Sequence, residues 1–311
     1  MRFTALILLI IVICKSSMSI QVIDKFDDFF IDKTMRIDYF HIGDAKTEII
    51  TIDQIYKYGI WAGSRVHLID EFNVGRYYVK IYDENSEELI YSKGFDSYFG
   101  EYQTSTPALD GIRKTFHESA IIPYPKGKII FTLERRDKEN KLNEFFRQEI
   151  DPDDVDIRRD DLVDLTVMVF ETDKNGDPHK RVDVAIIAEG YTRLDKDKFL
   201  ADLGYFQDVF FSQEPYKSNE HDFNIYGVFK PSVESGVDEP RAGIFKNTVL
   251  NCTFNSLGSE RYLLTEDNKS LRDIAANVPY DAIYIMVNHK RYGGGGIYNF
   301  FCTFTSDNQW K

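Results

Sequence analysis

The 311-residue sequence has only three cysteines, Cys14, Cys252 and Cys302. That number excludes a disulfide framework, and neither Cys252 nor Cys302 has a cysteine or histidine at ligand spacing. Positive charge is also short: 38 lysines and arginines face 51 aspartates and glutamates, giving a net charge of −13. A general nucleic-acid binder needs clustered cations against phosphate, so no nucleic-acid partner is expected. The basic groups Arg135-Arg136 and His289-Lys290-Arg291 are read as solvated strand ends. No apolar run reaches the roughly 20 residues of a membrane-spanning helix. The Gly-Lys-Ser/Thr ending of a phosphate loop is missing, and so is the Gly-x-Ser-x-Gly elbow of a hydrolase. The six histidines are His41, His67, His117, His179, His221 and His289. No two of them lie at the separation that puts a pair of imidazoles on one helical face. His117-Glu118 opens like a zinc-protease helix, but Ile121 stands where the second histidine would be, so His117 is expected to be an edge histidine and not a ligand.

What is present begins with an export signal. Met1-Arg2 supplies a positive start, Phe3 to Cys14 is apolar apart from Thr4, and Ser17-Met18-Ser19 sets small residues before a cleavage at Ile20. Residues 1–19 are therefore expected to be removed, leaving a secreted, periplasmic or cell-surface protein. A lipid anchor at Cys14 is the lesser alternative, since the large Ile13 sits where such signals carry a small residue. The mature chain then holds Cys252 and Cys302, read as two small buried hydrophobes or a single bridge.

From about Ile20 to Ile150 the pattern has period two. Met35, Ile37 and Tyr39 alternate with Arg36, Asp38 and Phe40, and Tyr77, Val79 and Ile81 with Tyr78, Lys80 and Tyr82. Asp83-Glu84-Asn85-Ser86 marks a hairpin turn, and Ile129, Phe131 and Leu133 share one face of a further strand. Residues 20–150 are expected to form an all-β, immunoglobulin-like sandwich without that fold's cysteine and tryptophan signature. The acidic stretch 151–164 is read as a linker. As a calcium loop it would need an oxygen ligand at Val155 and a glycine after it.

Beyond it, Leu165 to Glu171 and Val182 to Ala188 read as strands joined in a hairpin by Asn175-Gly176. Thr192 and Asp195 can cap a helix whose buried stripe is Phe199, Leu200, Leu203, Phe206 and Phe210. A strand over 223–229, a helix over about 266–277 and a strand over 281–287 follow. Residues 165–311 thus read as an α/β sheet with crossovers, and chemistry gathers where its strands end. Those ends are 189–192, 230–236 and 288–296.

The later segment, taken as a whole, resembles the immunoglobulin A peptidase family of secreted zinc metallopeptidases. The resemblance is carried by Val182 to Thr192, Phe199 to Asp202, Glu214-Pro215-Tyr216, Phe223 to Tyr226, Ser235 to Arg241, Ile285 to Asn288 and Tyr292 to Gly296. Residues 35–39, 61–64, 73–77, 90–95 and 123–126 resemble its amino-terminal β-sandwich. The resemblance implies a zincin-like α/β peptidase domain, a peptide or protein substrate, and a zinc cofactor on a helix of HExxH type. No such helix occurs in these residues. The resemblance therefore implies an incomplete peptidase domain, truncated before its zinc helix, with no zinc expected for this chain and no catalysis of its own. Gly293, Gly294, Gly295 and Gly296 are the candidate substrate-binding residues, because glycine backbone can approach an extended peptide closely. Their alternative is a tight turn between Val287 and Ile297. A function of another class, a non-catalytic surface module binding glycan or protein, would use sandwich aromatics such as Trp61, Tyr77 and Tyr78.

Overall fold

The computed structural model describes residues 25–159 and 162–306. The expected export signal over residues 1–19, and Cys14 with it, lies outside them. Seven strands build the first half: β1 (Phe30–Gly43), β2 (Glu48–Tyr58), β3 (Tyr77–Asp83), β4 (Leu89–Phe95), β5 (Lys114–Pro125), β6 (Ile129–Arg136) and β7 (Leu142–Ile150). Three short helices accompany them: α1 (Phe26–Phe29), α2 (Tyr98–Tyr102) and α3 (Thr106–Leu109). The strands pair antiparallel in two sheets, ordered β2-β1-β5 and β4-β3-β6-β7. Alternation sends Met35, Ile37 and Tyr39 of β1 and Ile122 of β5 inward. There they meet Val79 and Ile81 of β3 and Phe131 and Leu133 of β6 in one core.

Alternation alone leaves Arg36 and Asp38 on the opposite face of β1, where solvent would be the usual neighbour. Both are fully buried instead. The second half of the chain covers this face, and Arg36 bonds Asp38 at 2.9 Å and pairs with Asp273 at 2.8 Å, its guanidinium lying over the Tyr56 ring.

Trp61, Tyr77 and Tyr78 are also buried, at 7%, 0% and 3% exposure. They are core residues, which removes the basis for a surface platform built on them. Tyr77 belongs to a buried polar group between the sheets. His41 Nδ1 lies 3.1 Å from Glu118 and Nε2 lies 3.1 Å from Glu48, which also pairs with Arg135. Burial works against the imidazolium, but the charges and hydrogen bonds of Glu118 and Glu48 outweigh it and raise the His41 pKa.

The second half contains β8 (Met168–Lys174), β9 (Val182–Glu189), α4 (Lys196–Phe210), β10 (Phe223–Phe229), β11 (Thr253–Phe254), β12 (Leu263–Leu264), α5 (Asn268–Ala275), β13 (Ala282–Val287), β14 (Gly294–Ile297) and β15 (Phe301–Thr305). β11 and β12 form a small antiparallel pair, and six strands form a mixed sheet ordered β14-β15-β13-β9-β10-β8. Its centre, β10-β9-β13-β15, is parallel. β9 is buried on both faces, as a parallel strand under two crossovers must be. Val184, Ile186 and Ala188 pack with Phe199 and Leu203 of α4, while Ala185 and Ile187 pack with Leu271, Ile274 and Ala275 of α5. The start before α4 is capped as expected, with Asp195 accepting from both the Thr192 N–H and its hydroxyl.

One expected pairing is corrected. β8 and β9 do not form a hairpin across Asn175-Gly176, because β10 lies between them, antiparallel to β8 and parallel to β9. Asn224 at the start of β10 explains the detour: its Oδ1 accepts from the Asn175 and Gly176 N–H groups at 2.7 and 3.2 Å. The turn is thus held by the inserted strand. Cys252 is buried and Cys302 partly so, and the two are unbridged. Among the described residues no helix is long and apolar enough to cross a membrane.

The two halves share a core. Tyr98, Phe99, Tyr102 and Phe116 from the first cluster with Leu271, Ile283, Ile285 and Phe301 from the second. Phe199→Ala should cost about 3–5 kcal/mol by leaving a cavity under α4, read from urea unfolding. His41 gives a pH test. Its folded pKa lies above its ordinary 6.5, so its contribution is complete below that value and is lost as pH rises through the folded pKa. The urea midpoint should fall as pH rises past that point, and His41→Gln should flatten this fall; an equally steep fall in the variant would refute the assignment.

Candidate functional site

The carboxyl ends of β9, β10 and β13 lie side by side, which is where a parallel sheet collects loops and ligands. The floor of this edge is organised by Glu189, the last residue of β9, which is fully buried. Its Oε1 accepts from Thr248 Oγ1 at 2.6 Å and from the Cys252 N–H at 2.9 Å, and its Oε2 accepts from the Leu250 N–H at 2.9 Å. Burial pushes its pKa up, against these three hydrogen bonds. The carboxylate has no free face for chemistry; it fastens the 248–252 loop to the sheet.

Gly190 follows with φ +70°, and a Cβ there would stand 2.3 Å from the Gly236 carbonyl oxygen. That close approach lets the Gly236 N–H reach the Gly190 oxygen at 3.0 Å and the Ser232 N–H reach the Tyr191 oxygen at 2.7 Å. Asn288 closes the third strand end, donating through Nδ2 to Gly190 O and to Ser235 Oγ. All three strand ends singled out in the sequence thus meet in one network.

The four glycines begin beside it. They do not make the tight turn of the alternative reading; Gly294 to Gly296 lie in β14, the edge strand of the six-stranded sheet. Three of the four are small for a steric reason that the sequence did not display. A Cβ on Gly293 would lie 2.3 Å from the Phe254 ring, one on Gly294 would lie 2.5 Å from the Thr303 carbonyl oxygen, and one on Gly295 would meet Leu264 at 2.8 Å. Gly296 has only an ordinary contact, 3.4 Å to Cys302. The outer edge of β14 is partly taken, since the Gly294 N–H donates to Arg261 O at 3.2 Å. Outward groups alternate along an antiparallel strand, so Gly296, which is exposed, offers the next outward N–H and C=O. Beside Gly293, His289 and Arg291 both bond Glu239 at 3.1 Å, and Arg291 lies over Phe254.

Two family descriptions match this chain: Peptidase M64 N-terminus over residues 25–147 and IgA Peptidase M64 over residues 170–311. The chain belongs to the IgA peptidase family. Among curated proteins, none matches it. Membership in a metallopeptidase family raises the question of which residues could hold a metal. Among the described residues one group brings three ligand atoms within 4.8 Å of one another: Asp38, Asp53 and His117. His117 lies on β5, a strand, which rules out a helical zinc motif there. Its Nε2 is 3.4 Å from Asp53 and 3.6 Å from Asp38. The Asp38 oxygens, however, already accept from Arg36 at 2.9 Å and from Ser119 Oγ at 2.5 Å. A guanidinium on the ligating oxygen neutralises the charge a cation needs, and no second imidazole and no glutamate base stands there. The group does not fit a catalytic zinc. The other histidines lie apart: His41 on β1, His67 in the segment between β2 and β3, His179 and His221 in short 3-10 turns, and His289 after β13.

The contacts around the glycines predict unequal tolerance. Gly293→Ala and Gly294→Ala should each cost about 1–3 kcal/mol by overpacking against Phe254 and Thr303. Gly296→Ala should stay within about 0.5 kcal/mol of the parent. Urea midpoints of the three variants check this, and equal costs at all three positions would show that the close contacts do not govern the strand.

Proposed function

We propose that this chain supplies the substrate-holding scaffold of an exported zinc peptidase, and that its own residues hold peptide without cleaving it. In this reading residues 20–150 form an immunoglobulin-like sandwich domain, 151–164 a linker, and 165–311 part of a zincin-like peptidase domain. The observation that carries the reading is the pair of family matches, in order along the chain, over the two strand-rich halves. The zinc of the family would polarise a peptide carbonyl and activate water. That chemistry needs a ligand set that the resemblance places on an HExxH helix, and the 311 residues contain none. Export follows from the signal-like residues 1–19.

What the residues in hand can do is bind. An extended peptide adds to a sheet edge through main-chain hydrogen bonds, with side-chain pockets setting preference. β14 offers such an edge at Gly296, with Tyr298 exposed two residues on and Ile297 turned into the core. Glycine at this position keeps the approach open, and the Gly293–Gly295 packing fixes the strand from behind. His289, Glu239 and Arg291 give the neighbouring surface paired charges that can orient a polar backbone.

Three measurements on the purified chain test the proposal. Metal analysis after equilibration with zinc should find no tightly held ion, and casein should remain intact with or without a chelator. Hydrogen exchange in the presence of casein-derived peptides should slow the Gly296 amide. Chelator-sensitive cleavage would overturn the non-catalytic part, and unchanged exchange at 294–298 would overturn the edge-strand part.

A further inference from the structure

Between the sandwich and the α/β sheet lies a hollow with about 60 Å³ of room for water centres. Trp61, Val79 and Phe95 line it from the first half, and Ile283 and Phe300 from the second. This interior is mostly apolar, yet two cations face it: Lys93 from β4 and Arg272 from α5. Arg272 is 4% exposed. Among the described residues its one hydrogen bond is long, Nη1 to the Tyr280 hydroxyl at 3.3 Å; its Nε is buried with no hydrogen-bond partner, and the guanidinium lies over the Phe300 and Tyr280 rings. Lys93 makes no hydrogen bond and no ion pair among the described residues, and no carboxylate there lies within 4 Å of either cation.

Buried charge without a partner is costly, and arginine cannot escape the cost by losing its proton. Three acids also line the hollow, and each accepts a hydrogen bond from a group other than Lys93 or Arg272. Glu118 accepts from His41 and from the Phe99 N–H at 3.1 Å each. Asp96 accepts from the Arg76 N–H at 2.7 Å, and Asp281 from the Asp183 N–H at 2.9 Å. Burial also pushes the Asp281 pKa up to about 7, although the nearby Lys93 charge opposes the rise. Burial likewise lowers the Lys93 pKa against the Asp281 charge, so the hollow holds two basic and three acidic side chains with no direct ion pair between them among the described residues.

We propose that this hollow binds a small organic carboxylate, its anionic end held between Lys93 and Arg272 and its apolar end against Trp61, Val79 and Ile283. A guanidinium matches a carboxylate as a two-point donor, and the aromatic and aliphatic walls select an organic acid over a hydrated inorganic anion. An approach exists. A surface groove shares Asp281, Ile283, Asn299 and Phe300 with the hollow and opens beside Gly296. Because Lys93 and Arg272 belong to different halves of the chain, the anion would also tie the halves together.

Trp61 is one of only two tryptophans, so a Trp310→Phe chain reports on the hollow through Trp61 fluorescence alone. Sodium butyrate titrated against sodium chloride at matched ionic strength should change this fluorescence saturably, with chloride silent. At about tenfold excess over its dissociation constant, butyrate should raise the melting temperature by about 3 °C. Lys93→Met should abolish both responses and, in carboxylate-free buffer, should melt no lower than the parent, because it removes a half-buried lysine that has no ion-pair partner among the described residues. No saturable change with butyrate would overturn the proposal, as would an equal response to inorganic phosphate. A Lys93→Met chain that melts several degrees lower without carboxylate would do the same, since it would show Lys93 to be paired within the fold.

Discussion

The buried Arg36 guanidinium is the contact on which the arrangement of the two halves depends. It sits on the face of β1 turned away from the sandwich core, and its charge is met by Asp38 in its own strand and Asp273 in α5. Truncating either acid would leave a buried cation short of a partner, a change that typically costs several kcal/mol. Asp273 is anchored because α5 presents it to the sandwich at one angle only. That angle also sets Leu271, Ile274 and Ala275 against the underside of β9 and β13, so a single ion pair and an apolar face specify the same docking.

The same helix turns its neighbouring residue to another use. Arg272 precedes Asp273 by one position, about a 100° rotation on a helix, so the two guanidinium-related contacts point to different places. Asp273 closes the Arg36 cluster, while Arg272 is delivered to the hollow beside Lys93. Arg36 is thus ion-paired on one side of α5, whereas Arg272 on the next has no carboxylate within ion-pair distance among the described residues. A purely structural interface would gain by pairing both. Adjacent residues on one rigid element thus face different surroundings: Asp273 fastens the interface and Arg272 lines the hollow.

Much of this architecture was legible along the chain, and the misses have one cause. The alternation of Met35, Ile37 and Tyr39, the Thr192-Asp195 cap and the stripe through Phe199 and Leu203 report which face of an element is apolar, and each element formed where its pattern placed it. A pattern does not report which neighbour covers that face. Asn175-Gly176 has the residues of a hairpin turn, but Asn224 captures the turn and β10 takes the place beside β9. Arg36 and Asp38 carry the polarity of a solvated face, and only the distant Asp273 shows why they are buried. Trp61, Tyr77 and Tyr78 could have been a surface platform until the second sheet and the Glu48 cluster filled the space around them.

The glycine run shows the same limit at the candidate site. Four glycines in sequence suggest freedom of φ, yet Gly293 to Gly296 need none; what Gly293, Gly294 and Gly295 lack is room for a Cβ, against Phe254, Thr303 and Leu264. Only contacts from residues 31 and 39 positions away in two cases, and from the adjacent strand in the third, create that requirement. The consequence is directional. Three glycines are consumed in seating β14 against its neighbours, and Gly296, where the crowding ends, is left with its outward backbone groups exposed. An incoming chain could therefore pair where the packing stops, and the rigid seat behind it keeps those groups fixed, so little ordering would be needed on contact.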